Sequence, residues 1–256
     1  MLASLEDESR IFTERVYATG TVPTNTEKRA LDAWISLYKQ HNLWQKVIAY
    51  YPFIGSSIAS FSLNIKSTDF TLIPYNIDPL MCTTTGFKPN GINSFWDTQL
   101  VPLNHMQDNN GSIAVYARSF APHGIEIGAA SDGSAKRTLI CVNQGGSVCG
   151  AVQTTLSPLG DIYAPFTEKR FISTSRVTNS ELNLYGDGAK LGTSILAPST
   201  LPTIPIYIGA VNNSHPDYFS SNELCSAFIG YGFTEAEEKR RYEIEKIVQN
   251  MLGRAV

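Results

Sequence analysis

Residues 181–193 read ELNLYGDGAKLGT. Two short alternating runs, ELNLY and AKLGT, flank Gly186-Asp187-Gly188. That joint predicts a tight β-hairpin, because glycine and aspartate accept the left-handed backbone such turns impose. Outward from it, further strand-length runs occupy 112–118, 124–129, 137–142, 147–153, 170–177, 205–210 and 224–229. They are divided by Asp108-Asn109-Asn110-Gly111, Ser131-Asp132-Gly133-Ser134 and Gln144-Gly145-Gly146. Many short strands punctuated by turn residues predict a mainly β sandwich or barrel rather than alternating β–α units.

Before these strands the pattern is helical. Residues 9–17 form a short candidate helix that Gly20 and Pro23 stop. Thr24-Asn25-Thr26-Glu27 has the T-x-x-E form of a capping box, and Leu31, Trp34, Ile35 and Tyr38 then share one helix face. A second T-x-x-E box, Thr234 to Glu237, opens a C-terminal helix. Its apolar residues Ile244, Ile247, Val248 and Met251 lie in its second half, so the first half is expected in solvent and the second docked. The expected organisation is a helical lead-in over 1–50, a β-domain over 51–233 and a helix over 234–256.

Composition excludes several classes. The 256 residues are 43% hydrophobic and 17% charged, enough for a core that needs no metal or disulfide staple. A net charge of −3, with no dense Lys/Arg stripe, removes nucleic acid as an expected partner. The longest apolar runs, such as IPIYIGAV at 204–211, are strand-sized, so no membrane insertion is expected. The opening MLASLEDESR carries acids where an export signal would be basic and apolar, so no such signal is expected. No pair of cysteines has C-x-x-C spacing. Cys141 and Cys149 flank Gln144-Gly145-Gly146 symmetrically and could bridge across a hairpin. The alternative is two small buried residues, and without an export signal free thiols are the expectation.

No catalytic set stands out. His41, His105, His123 and His215 are scattered, and no nucleophile elbow, H-E-x-x-H or phosphate loop occurs. Sandwich glycosidases of the laminarinase type space carboxylates as E-x-D-x-x-E, whereas the strand around Glu126 holds one acid alone. Asp108, Asn109, Asn110 and Asp132 lack the spacing of a calcium loop. Neither a cofactor nor a metal site is therefore expected, and the chain reads as a non-enzyme. Aromatic residues near turns suit sugar stacking, with Asp and Asn as hydrogen-bonding neighbours. The candidates are Phe95, Trp96, Asp97, Tyr185, Asp187, Tyr218 and Phe219, although a sandwich tryptophan is more often core.

A longer pattern joins these parts. The segment at 42–69 carries Leu43-Trp44, then Tyr51-Pro52-Phe53-Ile54-Gly55, then Asn64-Ile65-Lys66, where a strand is expected. FKPNGIN at 87–93, SIAVYAR at 112–118, LNLYGDGAKL at 182–191, IYIGAVN at 206–212 and FIGYGFTEAEE at 228–238 follow in order. Together they resemble tailed-bacteriophage virion proteins with a concanavalin A-like, laminin-G-like β-sandwich, over about residues 8–254. Phe233 stands where that pattern has Leu, and Asp187 where Asn is common. The resemblance implies a jelly-roll antiparallel sandwich whose terminal helices cover a sheet or an edge. It also implies a structural protein of the capsid, tail or a fibre-like appendage, assembled in the host cytoplasm into the virion. Its implied partners are other virion proteins, further copies of itself (fibre-like parts are often trimers) and a cell-surface glycan. No active site comes with the resemblance. The alternatives are a carbohydrate-binding module of a bacterial extracellular system and, further off, a laminarinase-type glycosidase.

Overall fold

The computed structural model of the chain describes residues 6–133, 135–154 and 161–255. Ser134 of the expected turn and the first five residues, half of the start read for an export signal, lie outside the described residues. Helices α1 (Asp7–Ala18) and α2 (Asn25–Gln40) open the chain. Thr24 Oγ1 accepts from the Glu27 amide while the Glu27 carboxylate accepts from the Thr24 amide, so the capping box forms. Leu31, Trp34, Ile35 and Tyr38 are all buried along one face of α2.

Next come β1 (Val47–Tyr51), α3 (Ile58–Phe61), β2 (Ile73–Tyr75), β3 (Cys82–Thr83), β4 (Gly86–Phe87), β5 (Phe95–Asp97) and α4 (Pro102–His105). Longer strands follow: β6 (Gly111–Ala117), β7 (Ile127–Ser131), β8 (Lys136–Gln144) and β9 (Ser147–Thr154). After them run β10 (Ile162–Pro165), β11 (Phe171–Arg176), β12 (Leu182–Gly186) and β13 (Ala189–Ser194). The chain closes with β14 (Tyr207–Ile208), β15 (Val211–Asn212), β16 (Pro216–Asp217), β17 (Leu224–Gly230) and α5 (Glu235–Met251).

Among the described residues the strands form two sheets. The first runs β13-β12-β11-β6-β17-β4-β3, with β1 also paired to β17. The second runs β10-β9-β8-β7-β14-β5-β2, with β15 and β16 attached through β7. Pairing is antiparallel except where β15 meets β7. The hairpin at 181–193 forms as expected: Asp187 and Gly188 have φ of 51° and 73° at the turn between β12 and β13. The protein is thus a mainly β, two-sheet antiparallel sandwich with N-terminal helices and a C-terminal helix.

Period-2 alternation sorts the core into two layers. Ile113 and Val115 of β6, Ile172 of β11 and Ile229 of β17 point between the sheets, against Trp96, Ile127 and Ile140 of the second sheet. Their neighbours Ala114, Tyr116, Phe171 and Phe228 point the other way, onto Phe12, Trp34 and Tyr38 of α1 and α2 and Ile244 and Val248 of α5. The three long helices therefore all lie on the outer face of the first sheet.

Four expectations change. First, Asn64-Ile65-Lys66 is not a strand. The Asn64 side chain accepts from the amides of Tyr50 and Lys66, which turns the chain there. Second, the run 205–210 breaks at Gly209, whose φ of 88° separates β14 from β15. Third, the first half of α5 is solvated on one face only: Glu235, Ala236, Lys239 and Arg240 are exposed, but the other face is docked. Glu238 and Arg241 are fully buried, because the first sheet offers them hydroxyls and rings. Ser173 Oγ donates to Glu238 at 2.8 Å, and Arg241 Nη1 donates to Ser112 Oγ and Glu238 Oε1, each at 3.1 Å. The Arg241 guanidinium lies 3.9 Å from the Phe228 ring centre and 4.6 Å from that of Phe233. Fourth, Cys141 and Cys149 sit directly opposite each other on β8 and β9 and are joined by a disulfide, in place of free thiols. Cys82 and Cys225 are buried free thiols.

Candidate functional site

Strand β5 reads Phe95-Trp96-Asp97, and alternation sends its middle residue opposite to its neighbours. Trp96 enters the core between the sheets and is fully buried. Phe95 and Asp97 therefore occupy the far face of the second sheet. Register then sets who joins them. On one side β2 places Tyr75 opposite Phe95 and Ile73 opposite Asp97. On the other side β14 places Tyr207 opposite Asp97.

The result is an aromatic platform. The Tyr75 ring stacks on Phe95 with centroids 4.7 Å apart and planes 2° from parallel. Tyr207 lies 4.5 Å from Phe95 on its other flank, and Phe219 lies 6.2 Å away. Phe95 is the buried centre of the cluster, at 5% exposure, and holds Tyr75 and Tyr207 in place, while Tyr75 and Ile73 stand 42% and 40% exposed. Exposed apolar side chains packed side by side in register mark a candidate contact surface.

Asp97 supplies the polarity. One carboxylate oxygen, Oδ1, accepts from the Gln99 amide at 2.7 Å. Burial pushes the Asp97 carboxyl above its ordinary value, and the Gln99 amide pulls it back only in part. The Tyr207 phenol is also raised, by burial first and then by Asp97 and Tyr75. Chemically, the site offers ring faces, phenol hydroxyls and one acid.

The sequence candidates divide. Phe95, Asp97 and Phe219 come together here. Trp96 does not, since a one-residue step in a strand reverses the face. Tyr185 is 1% exposed on β12, so it cannot stack on a solvent ligand. Asp187 builds its own turn: Oδ1 accepts the Arg170 and Phe171 amides, both at 3.0 Å. Tyr218 is 52% exposed beside Phe219 in the chain, yet among the described residues it stacks on none of these rings. Sequence reading missed Ile73, Tyr75 and Tyr207. The signal available was the i, i+2 pairing of Ile73 with Tyr75 around a proline typical of an edge strand.

Glu126 is fully buried and accepts from the Val142 amide, Ser220 Oγ and Asn222 Nδ2 at 2.7, 2.9 and 2.9 Å. It ties β8 to the segment before β17 and reaches no cleft. Among the described residues no three His, Cys, Asp or Glu side chains could hold a metal ion. Likewise, no described helix is long and apolar enough to cross a membrane. Open grooves lie elsewhere, one of them lined by Asp69, Phe70, Gln99 and His105. A second is lined by Tyr163, Ile195 and Leu196 beside β10 and β13, and a third by Arg15 and Lys66 beside α1.

No family model and no curated protein matches this chain. Solved structures do. The receptor-binding domain of botulinum neurotoxin D is similar at TM-score 0.50 and 11% identity, over 79% of this chain and 53% of that one. A structure of botulinum neurotoxin type C, which enters cells through interaction with two ganglioside molecules, is similar at TM-score 0.50 and 10% identity. There the match covers 80% of this chain and 52% of the other. A mutant NanB sialidase from Streptococcus pneumoniae gives TM-score 0.49 at 11% identity, over 60% of this chain and 27% of the sialidase. The chain thus spans about half of each toxin chain and about a quarter of the sialidase. At these identities the likeness to the two toxin structures shows a shared β-sandwich fold.

Proposed function

We propose that the chain is a non-enzymatic recognition module that holds a cell-surface glycan on the aromatic platform of its second sheet. The observation that carries this reading is the in-register set of Tyr75, Phe95, Tyr207 and Asp97 on the face that the long helices leave alone. Aromatic faces stack on the C–H faces of sugar rings, and adjoining polar groups fix their hydroxyls. The receptor-binding role named for the similar toxin domains supports the reading by analogy of fold alone. A glycan array probed with the purified chain tests it. Binding that falls at least about tenfold in Tyr75→Ala and in Tyr207→Ala supports the platform. Absence of binding to every glycan sinks it.

A virion role is the second reading. It rests on the resemblance carried by the landmarks at 112–118, 182–191 and 228–238, which occupy β6, the β12–β13 hairpin and the β17–α5 junction. A glycan-binding module on a phage particle would attach that particle to its host, so the two readings are compatible. Mass spectrometry of purified particles decides the second, which fails if the chain never co-purifies with them. Light scattering tests the homo-oligomer that accompanies it.

A further inference from the structure

We propose that the platform selects neutral glycans and rejects acidic ones, with Asp97 as the acceptor for sugar hydroxyls. This deepens the glycan-binding reading and rests on it.

Three observations carry the inference. First, Asp97 is the charged side chain in the register set, and its face partners Ile73, Phe95 and Tyr207 carry no charge. Among the described residues no lysine or arginine pairs with it, and nothing donates to Oδ2. A carboxylate of this kind, half-withdrawn from water and lacking a counter-ion, repels a second anion more strongly than an exposed acid does. Second, that same Oδ2 has unfilled acceptor capacity. A neutral sugar hydroxyl can fill it, whereas a sialic or uronic carboxylate cannot. Third, the phenol hydroxyls of Tyr75 and Tyr207 have no protein partner among the described residues. They belong to rings held by the buried Phe95 and open to solvent in part, two neutral groups that both donate and accept. The site therefore matches a polyol with an apolar ring face, not a group carrying its own negative charge.

Lactose and sialyllactose, each immobilised at equal density, are the probes, read by biolayer interferometry with the full chain. Cellobiose and its uronic-acid counterpart form a second pair. Each neutral sugar is expected to bind at least about tenfold more tightly than its acidic partner, with the gap shrinking as salt is raised. Asp97→Asn keeps the shape but removes the charge. It should weaken neutral binding and bring the neutral-to-acidic ratio close to one. The inference is overturned if acidic sugars bind as well as neutral ones in a Tyr75-dependent way, or if Asp97→Asn leaves the ratio unchanged. If neither class binds, or if binding ignores Tyr75→Ala, the platform reading itself falls and takes the inference with it. Asp97→Ser provides a second neutral variant should Asp97→Asn fold poorly.

Discussion

The indole Nε1–H of Trp34 donates to Oε1 of Glu245 at 2.8 Å, joining α2 to α5 across 211 positions of sequence. The same carboxylate accepts from the Tyr50 hydroxyl at 3.1 Å, and the Trp34 ring lies between Tyr38 at 3.9 Å and Tyr50 at 4.0 Å. Trp34→Phe keeps a ring in the stack but leaves a buried carboxylate oxygen short of a donor. It should cost about 1–3 kcal/mol, read as a lower urea midpoint at unchanged slope. An unchanged midpoint would show that the bond contributes nothing net.

Buried acids set the pH response. Burial raises the carboxyls of Glu126, Glu238 and Glu245 above the ordinary glutamate value of 4.5, against the pull of their hydrogen-bond donors. The folded state then holds these protons more tightly than the unfolded one. Their contribution is full below the ordinary value and is lost as pH rises through the raised ones. Glu8, lowered by its hydrogen bond from Lys39, acts in the opposite sense and favours folding above the ordinary value. The raised carboxyls, Asp97 and Asp161 included, outnumber the lowered ones of Glu8 and Glu237, so the unfolding free energy should fall as pH rises above the ordinary carboxylate value. Glu126→Gln should flatten that slope, and urea midpoints measured against pH provide the check.

Near the C-terminus, Arg254 is 1% exposed and has carbonyls as its acceptors. Its guanidinium donates to the carbonyls of Phe53 at 2.7 Å, Pro52 and Thr84 at 2.9 Å and Cys225 at 3.2 Å. Arg254→Met would retain volume and orphan all four. A loss of about 3 kcal/mol or more is expected, whereas Arg254→Lys should recover only part because it lacks the planar fork. Equal stability of the Met variant and the parent would refute this role.

The disulfide closes a short loop, with Cys141 and Cys149 separated by 8 positions. Constraining so short a loop in the unfolded chain is worth about 2.5 kcal/mol. Thermal unfolding with and without reductant should differ by that order, and Cys141→Ala/Cys149→Ala should respond to reductant not at all.

The strands from β6 onward were largely legible, because their alternating runs end on Gly, Asn and Asp at each turn. Short strands such as β2 and β5, three residues each, were not, since three residues carry too little periodicity to register. The site was half legible for the same reason. Trp96 was the one of the three expected in the core, but only pairing with β2 and β14 shows that Phe95 and Asp97 share the opposite face. Glu238 and Arg241 read as solvent-facing because charge usually marks the wet side of a helix. What reverses that expectation is the row of serines on β6, β11 and β17 beneath α5, 112, 173 and 226, far away in the chain.

The pairing of β1 with β17 has a consequence for biogenesis. Strand Val47–Tyr51 finds its partner only at Ala227–Gly230, and the carbonyls of Pro52 and Phe53 wait for Arg254. At about 5–20 residues per second, a ribosome leaves the aromatic ridge of α2 uncovered for about 10–40 s before α5 is made. Assembly dominated by such distant partners is also slow once the chain is free. The aromatic ridge of α2 and the edge of β1 are therefore expected to stay unpaired until β17 and α5 have been made.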